Sequence, residues 1–161
     1  MTIRVWFRAI GAILTIGFLA GLCGGEVLAE DAVTYNRKGA PFEDVRDDLE
    51  SAILTEGLKI DYRGNLAAML ERTGPDVGSN QPIYRHGEFV TFCSAKLSRA
   101  MMEADPANIS QCPYVMFIYQ RVTVLDTVVV GYRKVNVQGP GGKSLEEINK
   151  LLERIARSAS K

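Results

Sequence analysis

The chain has 161 residues, the size of one ordinary domain and too short for two large ones. Lys+Arg and Asp+Glu each count 19, a formal charge of zero that excludes a strongly basic nucleic-acid binder and an acidic disordered tail. A single histidine excludes a multi-histidine metal site or a histidine relay within one chain, while 47% hydrophobic and 24% charged residues are ordinary globular values.

Residues 1–29 read as a secretory signal peptide. Arg4 and Arg8 form the positive start, and Ala9 to Gly25 carries no charge. Val27-Leu28-Ala29 offers compact residues for cleavage between Ala29 and Glu30. The rival reading is a retained membrane anchor. The uncharged run is short for a span and is diluted by Gly11, Gly17, Gly21, Gly24 and Gly25. Cys23 is a poor lipid-anchor site because bulky Leu22 precedes it, and the absence of paired arginines favours general secretion over the twin-arginine route. Removing residues 1–29 takes away Arg4, Arg8, Glu26 and Cys23. The remaining 30–161 carry 17 basic and 18 acidic residues and two cysteines, Cys93 and Cys112. The expected location is the periplasm or the exterior.

Within residues 30–161, Ala32 to Asn36 suits a short strand. Pro41 suits a first helical position, and Phe42, Val45, Leu49, Ala52 and Ile53 recur at helical spacing until Gly57. Leu58, Ile60 and Tyr62 alternate with Lys59 and Asp61, which predicts a half-buried strand. Asn65 caps a brief helix that Gly74-Pro75 stops, and Asp76 to Pro82 reads as a polar loop. Ile83 to Cys93 is expected to be extended, with a turn at His86-Gly87. Ser94 caps a helix with Leu97, Ala100, Met101 and Ala104 inward and Arg99 paired with Glu103 outward. Tyr114 to Gln120 and Thr127 to Tyr132 are strands, and Gln138 to Gly142 is a turn-rich link. In the last helix Ser144 and Glu147 form a capping box. Leu145, Ile148, Leu151, Leu152 and Ile155 are its apolar stripe, and the pairs Glu146–Lys150 and Glu153–Arg157 line its outer face. The order predicts one compact α+β domain over residues 30–161, a small mixed or antiparallel sheet packed by about four helices.

Several segments resemble a known family. Phe92-Cys93-Ser94-Ala95, Leu97-Ser98, Met101-Met102-Glu103-Ala104-Asp105-Pro106, Cys112-Pro113-Tyr114, Ile118-Tyr119 and Val130-Gly131-Tyr132-Arg133 are similar to the family called domain of unknown function 302. The helix from Phe42 to Glu56 with Gly57-Leu58-Lys59-Ile60 matches its opening. The resemblance covers roughly residues 33 to 157 and implies a compact α+β fold, often dimeric. It implies no activity.

Cys93 and Cys112 stand out among residues that could carry chemistry. An even pair in an oxidising compartment suggests a disulfide, which at this loop length stabilises by about 3 kcal/mol in the chain-entropy model. A redox or reactive thiol pair is the rival, since a thiolate near a helix start is stabilised by the dipole. Two thiolates without a nearby histidine are too few for a zinc site, so no metal or cofactor is expected. The pairing has a geometric condition. If Tyr114 started a strand parallel to the preceding one, the sulfurs would lie at opposite ends of the sheet. They would then meet only if Asp105 to Cys112 returned the chain, a reach of about 28 Å at most.

His86, in the polar stretch Arg85-His86-Gly87-Glu88, is expected in a solvent-exposed turn; no motif places a partner that would make it a catalytic base. Gly139-Pro140-Gly141-Gly142-Lys143-Ser144 evokes a phosphate-binding loop, but Val137 stands where its first glycine belongs. Tyr-Arg recurs at Tyr62-Arg63, Tyr84-Arg85 and Tyr132-Arg133, where such pairs could line an anion or aromatic site. Tyr84, Arg85, His86, Tyr114, Tyr132 and Arg133 are therefore the ligand-binding candidates. The expected function is an exported binding or interaction protein, non-catalytic, for a small hydrophobic or anionic ligand or an envelope protein, with homodimerisation. Nucleic acid is not an expected partner, and a membrane is one only if residues 1–29 are retained. The alternatives are a periplasmic thiol redox protein using Cys93 and Cys112, and a subunit of a membrane-associated envelope complex.

Overall fold

The computed structural model describes residues 31–161; the expected signal segment and the expected cleavage between Ala29 and Glu30 lie outside them. The strands are β1 (Ala32–Lys38), β2 (Tyr62–Asn65), β3 (Tyr84–Phe92), β4 (Tyr114–Arg121) and β5 (Val124–Arg133). The helices are α1 (Phe42–Thr55), α2 (Leu66–Thr73), α3 (Ala95–Ala104) and α4 (Gly142–Ala159). One five-stranded sheet has the order β1-β5-β4-β3-β2, with every pair antiparallel. The expected α+β domain is therefore what forms, with an antiparallel rather than a mixed sheet.

Strand alternation divides the sheet into two faces. Val90 and Phe92, Tyr114, Met116 and Ile118, and Val128, Val130 and Tyr132 point one way and are buried. Onto them pack Phe42, Val45, Leu49 and Ile53 of α1 and the stripe Leu145, Ile148, Leu152 and Ile155 of α4. Each such fully buried aliphatic side chain contributes about 1.5–3 kcal/mol of transfer free energy, so α4 is held by its stripe rather than by its propensity. Two bidentate ion pairs tie the edges of this layer: Arg154 with Glu56 joins α4 to the end of α1, and Arg63 with Glu50 joins β2 to α1. Asn149 clamps the link from β5, accepting from Val135 N at 2.9 Å and donating to Val135 O at 3.0 Å.

The reverse face lies away from α1 and α4. It carries Tyr62, Phe89, Phe117, Tyr119 and Val129, and glycines make room for its rings. A Cβ at Gly64 would stand 2.2 Å from the Phe89 ring, and one at Gly131 would stand 2.4 Å from Phe117 and 2.7 Å from the Val33 carbonyl.

Four local expectations are corrected. The alternation Leu58-Ile60-Tyr62 does not form a strand; β2 begins only at Tyr62. Leu58 instead closes α1, its N–H reaching the Ile53 carbonyl while Gly57, at φ 75°, reaches Leu54. This paired closure around a left-handed glycine claims the backbone that a strand would need. Ser144 and Glu147 do not cap α4. The helix starts at Gly142, its N-cap Gly141 has φ 87° and makes no side-chain cap hydrogen bond, and Glu147 pairs with Lys150 in place of Glu146. Gly141 abuts the end of α3, where a Cβ would meet Asn108 at 3.1 Å and the Met101 carbonyl at 3.3 Å. In α3 the inward side is narrower than expected: Met101 is buried and Leu97 half-buried, whereas Ala100 and Ala104 are exposed. Finally, β3 runs through His86-Gly87 without a turn, with a register irregularity between Tyr84 and His86.

Replacing Gly131 by Ala forces a methyl against both the Phe117 ring and a backbone carbonyl. The expected cost is about 1–3 kcal/mol, read as a lower urea midpoint at unchanged slope.

Candidate functional site

The two ends of the β3–β4 pair carry different chemistry. At the end formed by the start of β3 and the β4–β5 hairpin, a cavity of about 790 Å³ opens between α2, the following segment and the strands. Asn65 builds its first wall by accepting from Ala68 N at 2.8 Å, which starts α2 directly after β2. Pro75–Val77 forms a 3-10 turn that brings the chain back toward β3. Gln120 fixes the hairpin by donating to the Leu125 carbonyl at 2.7 Å, placing Val122 and Leu125 on the opposite side.

The lining is mixed and largely open to solvent: Val77 is 75% exposed, Ile83 56% and Leu125 54%, with Leu70 and Val122 beside them, and Asn65, Thr73, Ser79, Asn80 and Gln81 supply polar wall. Tyr84, Arg85 and His86 also line it. Tyr84 packs edge-on against Tyr119, with ring centroids 5.4 Å apart. His86 is half-buried and stacked on Phe42 of α1 at 4.7 Å, not held in an exposed turn. The bulge in β3 sets this up, because it re-aims consecutive side chains where regular pairing would alternate them. Among the described residues Arg85 forms no salt bridge, and Glu71 is the only carboxylate in the lining.

Three of the six ligand-binding candidates therefore meet in this groove. The other three lie elsewhere. Tyr132 faces the covered layer, where burial pushes its phenol up to about 12, and exposed Arg133 follows it at the far end of the sheet. Tyr114, 1% exposed, sits at that same end.

That far end holds Cys93 and Cys112, which are bonded as a disulfide with Cα atoms 6.5 Å apart, within the range such a bond spans. The antiparallel register explains the meeting. Phe92 lies directly across from Tyr114, so Cys93, next after Phe92, and Cys112, two residues before Tyr114, fall at the same end of the strand pair. The 3-10 segment Pro106–Gln111, started by Asp105 accepting from Ala107 N, delivers Cys112 to β4. Ser94 caps α3 immediately after Cys93, and Ser98, one turn along, places its hydroxyl 3.3 Å from Cys112 Sγ and 2.8 Å from the Tyr114 hydroxyl. Burial raises the Tyr114 phenol above its ordinary range, against the hydrogen bonds from Ser98 and the Ser94 backbone, so it is protonated at neutral pH.

Among the described residues no cluster of three His, Cys, Asp or Glu side chains could hold a metal ion, and no helix is long and apolar enough to cross a membrane. The apolar groove lining was missed in sequence because Leu70, Val77, Ile83 and Leu125 sit singly in four separate segments. The only signal was their placement in stretches otherwise polar. Ser98 lies in one of the segments that carry the family resemblance, but its contact was not legible there, since its partner lies 16 residues away.

An antiparallel sheet covered on one face by helices, with a disulfide at one end and an open groove at the other, defines a small α+β scaffold. The family model described as Domain of unknown function DUF302 matches residues 33–160, and the chain belongs to that family. Among solved structures it is similar to the uncharacterized conserved protein DUF302 from Bacillus stearothermophilus. The TM-score is 0.65 at 12% identity, covering 81% of this chain and 98% of that one, a likeness of fold alone. No curated protein matches the sequence.

Replacing both Cys93 and Cys112 by Ala should lower unfolding stability by about 3 kcal/mol. The measurement is denaturant unfolding of the oxidised protein and the double variant side by side; equal midpoints would show that the bond does not restrain the unfolded chain.

Proposed function

We propose that this chain is an exported binding protein that holds a small amphiphilic anion in the groove beside β3. The observation that carries the reading is the convergence of exposed apolar side chains, Leu70, Val77, Ile83 and Leu125, with the unpaired Arg85 around one cavity of about 790 Å³. That volume suits a ligand of drug-like size, and exposed apolar side chains set among polar ones suit a molecule that is itself part apolar and part charged. The ligand's apolar body lies against the wall and its anionic group meets Arg85. Glu71 opposes an anion from the α2 side, so the head group is favoured only near β3.

The export half of the reading rests on the signal-like residues 1–29. Self-association rests on the reverse face of the sheet, where Tyr62, Phe89, Phe117 and Tyr119 stand outside the helical layer. Flat aromatic surface of this kind is the composition of a homodimer interface.

Two measurements test these parts. A fluorescent medium-chain fatty-acid analogue should bind saturably and be displaced by decanoate. Arg85→Ala should weaken decanoate about tenfold and leave decanol unchanged, while Ile83→Asp should abolish both. Absence of saturable binding, or indifference to both substitutions, would remove the groove as the site. Mass spectrometry of protein from its native host should find a chain starting at Glu30, and under native conditions twice its mass. A chain starting at Met1 would instead identify a retained anchor, and a monomer at high concentration would contradict dimerisation.

A further inference from the structure

The Cys93–Cys112 bond sits in more polar company than a structural cross-link needs. Ser98 has one proton to donate, and two neighbours within reach: the Tyr114 hydroxyl at 2.8 Å and Cys112 Sγ at 3.3 Å. Tyr114 is 1% exposed and its phenol stays protonated. When the Tyr114 hydroxyl donates to Ser98, the Ser98 proton is left for the sulfur. A disulfide sulfur is a weak acceptor, so the arrangement does little for the oxidised bond. A thiolate is a charged acceptor, and a hydroxyl donating to it is roughly twice as strong as a neutral hydrogen bond. The donor chain is matched to the reduced state of Cys112. Hydroxyl donation is one-sided: among the described residues none reaches Cys93, which borders the α3 N-cap and has the helix dipole alone to favour its thiolate. Both cysteines are half-buried, not sealed within the core.

We propose that Cys93–Cys112 is a thiol–disulfide exchange site in which Cys112 is the leaving thiolate, held by Ser98 and, through it, by Tyr114. The co-reactant is a thiol. Its thiolate attacks Cys93 Sγ and forms a mixed disulfide there, while the Cys93–Cys112 bond breaks and its electron pair leaves on Cys112 Sγ. A second thiol, losing its proton to solvent, attacks the outer sulfur of the mixed disulfide. This releases the oxidised disulfide of the co-reactant, and the Cys93 thiolate takes up a proton. The net change is one protein disulfide, one external thiolate and one external thiol converted to the Cys112 thiolate, the Cys93 thiol and one external disulfide. A leaving thiol of lowered pKa departs faster, which directs attack to Cys93 rather than to Cys112.

The inference is independent of the groove and is tested with glutathione as the probe. Protein purified without reductant is equilibrated in reduced and oxidised glutathione, alkylated and weighed, with circular dichroism recorded on the same samples. Reduction should be reversible with the fold intact. Ser98→Ala should shift the equilibrium about tenfold toward the disulfide, and Ser98→Thr, which keeps the hydroxyl, should restore it. In Cys93→Ser protein, Ser98→Ala should move the pH profile of Cys112 alkylation upward by about one unit. In Cys112→Ser protein the same change should leave the Cys93 profile in place. A bond that resists glutathione until the fold melts, or a Cys112 profile indifferent to Ser98, would overturn the proposal and leave a purely structural cross-link. Should Ser98→Ala protein fail to fold, the Tyr114→Phe variant carries the test with a smaller shift of the same sign, and no shift there overturns it too.

Discussion

The antiparallel register of β3 against β4 is the constraint on which the rest of the molecule depends. Phe92 faces Tyr114 at one end, and at the other the pairing slips between Tyr84 and His86. The first relation brings Cys93 beside Cys112 and sets the Tyr114 hydroxyl where Ser98 meets it. The second sets Tyr84 against Tyr119 and His86 against Phe42, with Arg85 between them, and all three line the groove. A slip of one residue would exchange the faces of the whole strand, sending Val90 and Phe92 out of the core. The burial of those two side chains under α1 and α4 therefore defends both sites at once.

The sheet is used asymmetrically. One face carries α1 and α4 and supplies the hydrophobic core; the reverse face is aromatic, with Phe89 and Phe117 laid over Gly64 and Gly131. Rings that lie flat over glycine shield backbone without needing a covering helix. The chain thus keeps a second surface in reserve while the first holds the fold together.

The broad plan was legible in sequence because periodicity reports burial directly. The α1 and α4 stripes, the strands β4 and β5 and the single α+β domain all follow from where apolar residues recur. What escaped was decided by backbone closure and by distant neighbours. Leu58 and Ile60 alternate like a strand, yet the Leu58 amide is taken by the end of α1. Ser144 and Glu147 have capping-box spacing, yet α4 starts at Gly142, with Gly141 as its N-cap close against the end of α3. Of the six ligand-binding candidates, the consecutive three, Tyr84, Arg85 and His86, share one site because a single bulge serves them. Tyr114, Tyr132 and Arg133 were grouped with them by residue type, which carries no information about which end or face of a sheet a residue occupies. The cysteine pairing turned on strand direction, and the antiparallel sheet resolves it.

The proposed binding lies at the bulged end of β3 and not on the open aromatic face. An amide-resolved NMR titration of the oxidised protein with decanoate tests this most directly. Saturable shifts clustered at Leu70, Val77, Ile83, Arg85 and Leu125 are expected. Shifts centred on Phe89, Phe117 and Val129, or none at all, would contradict it.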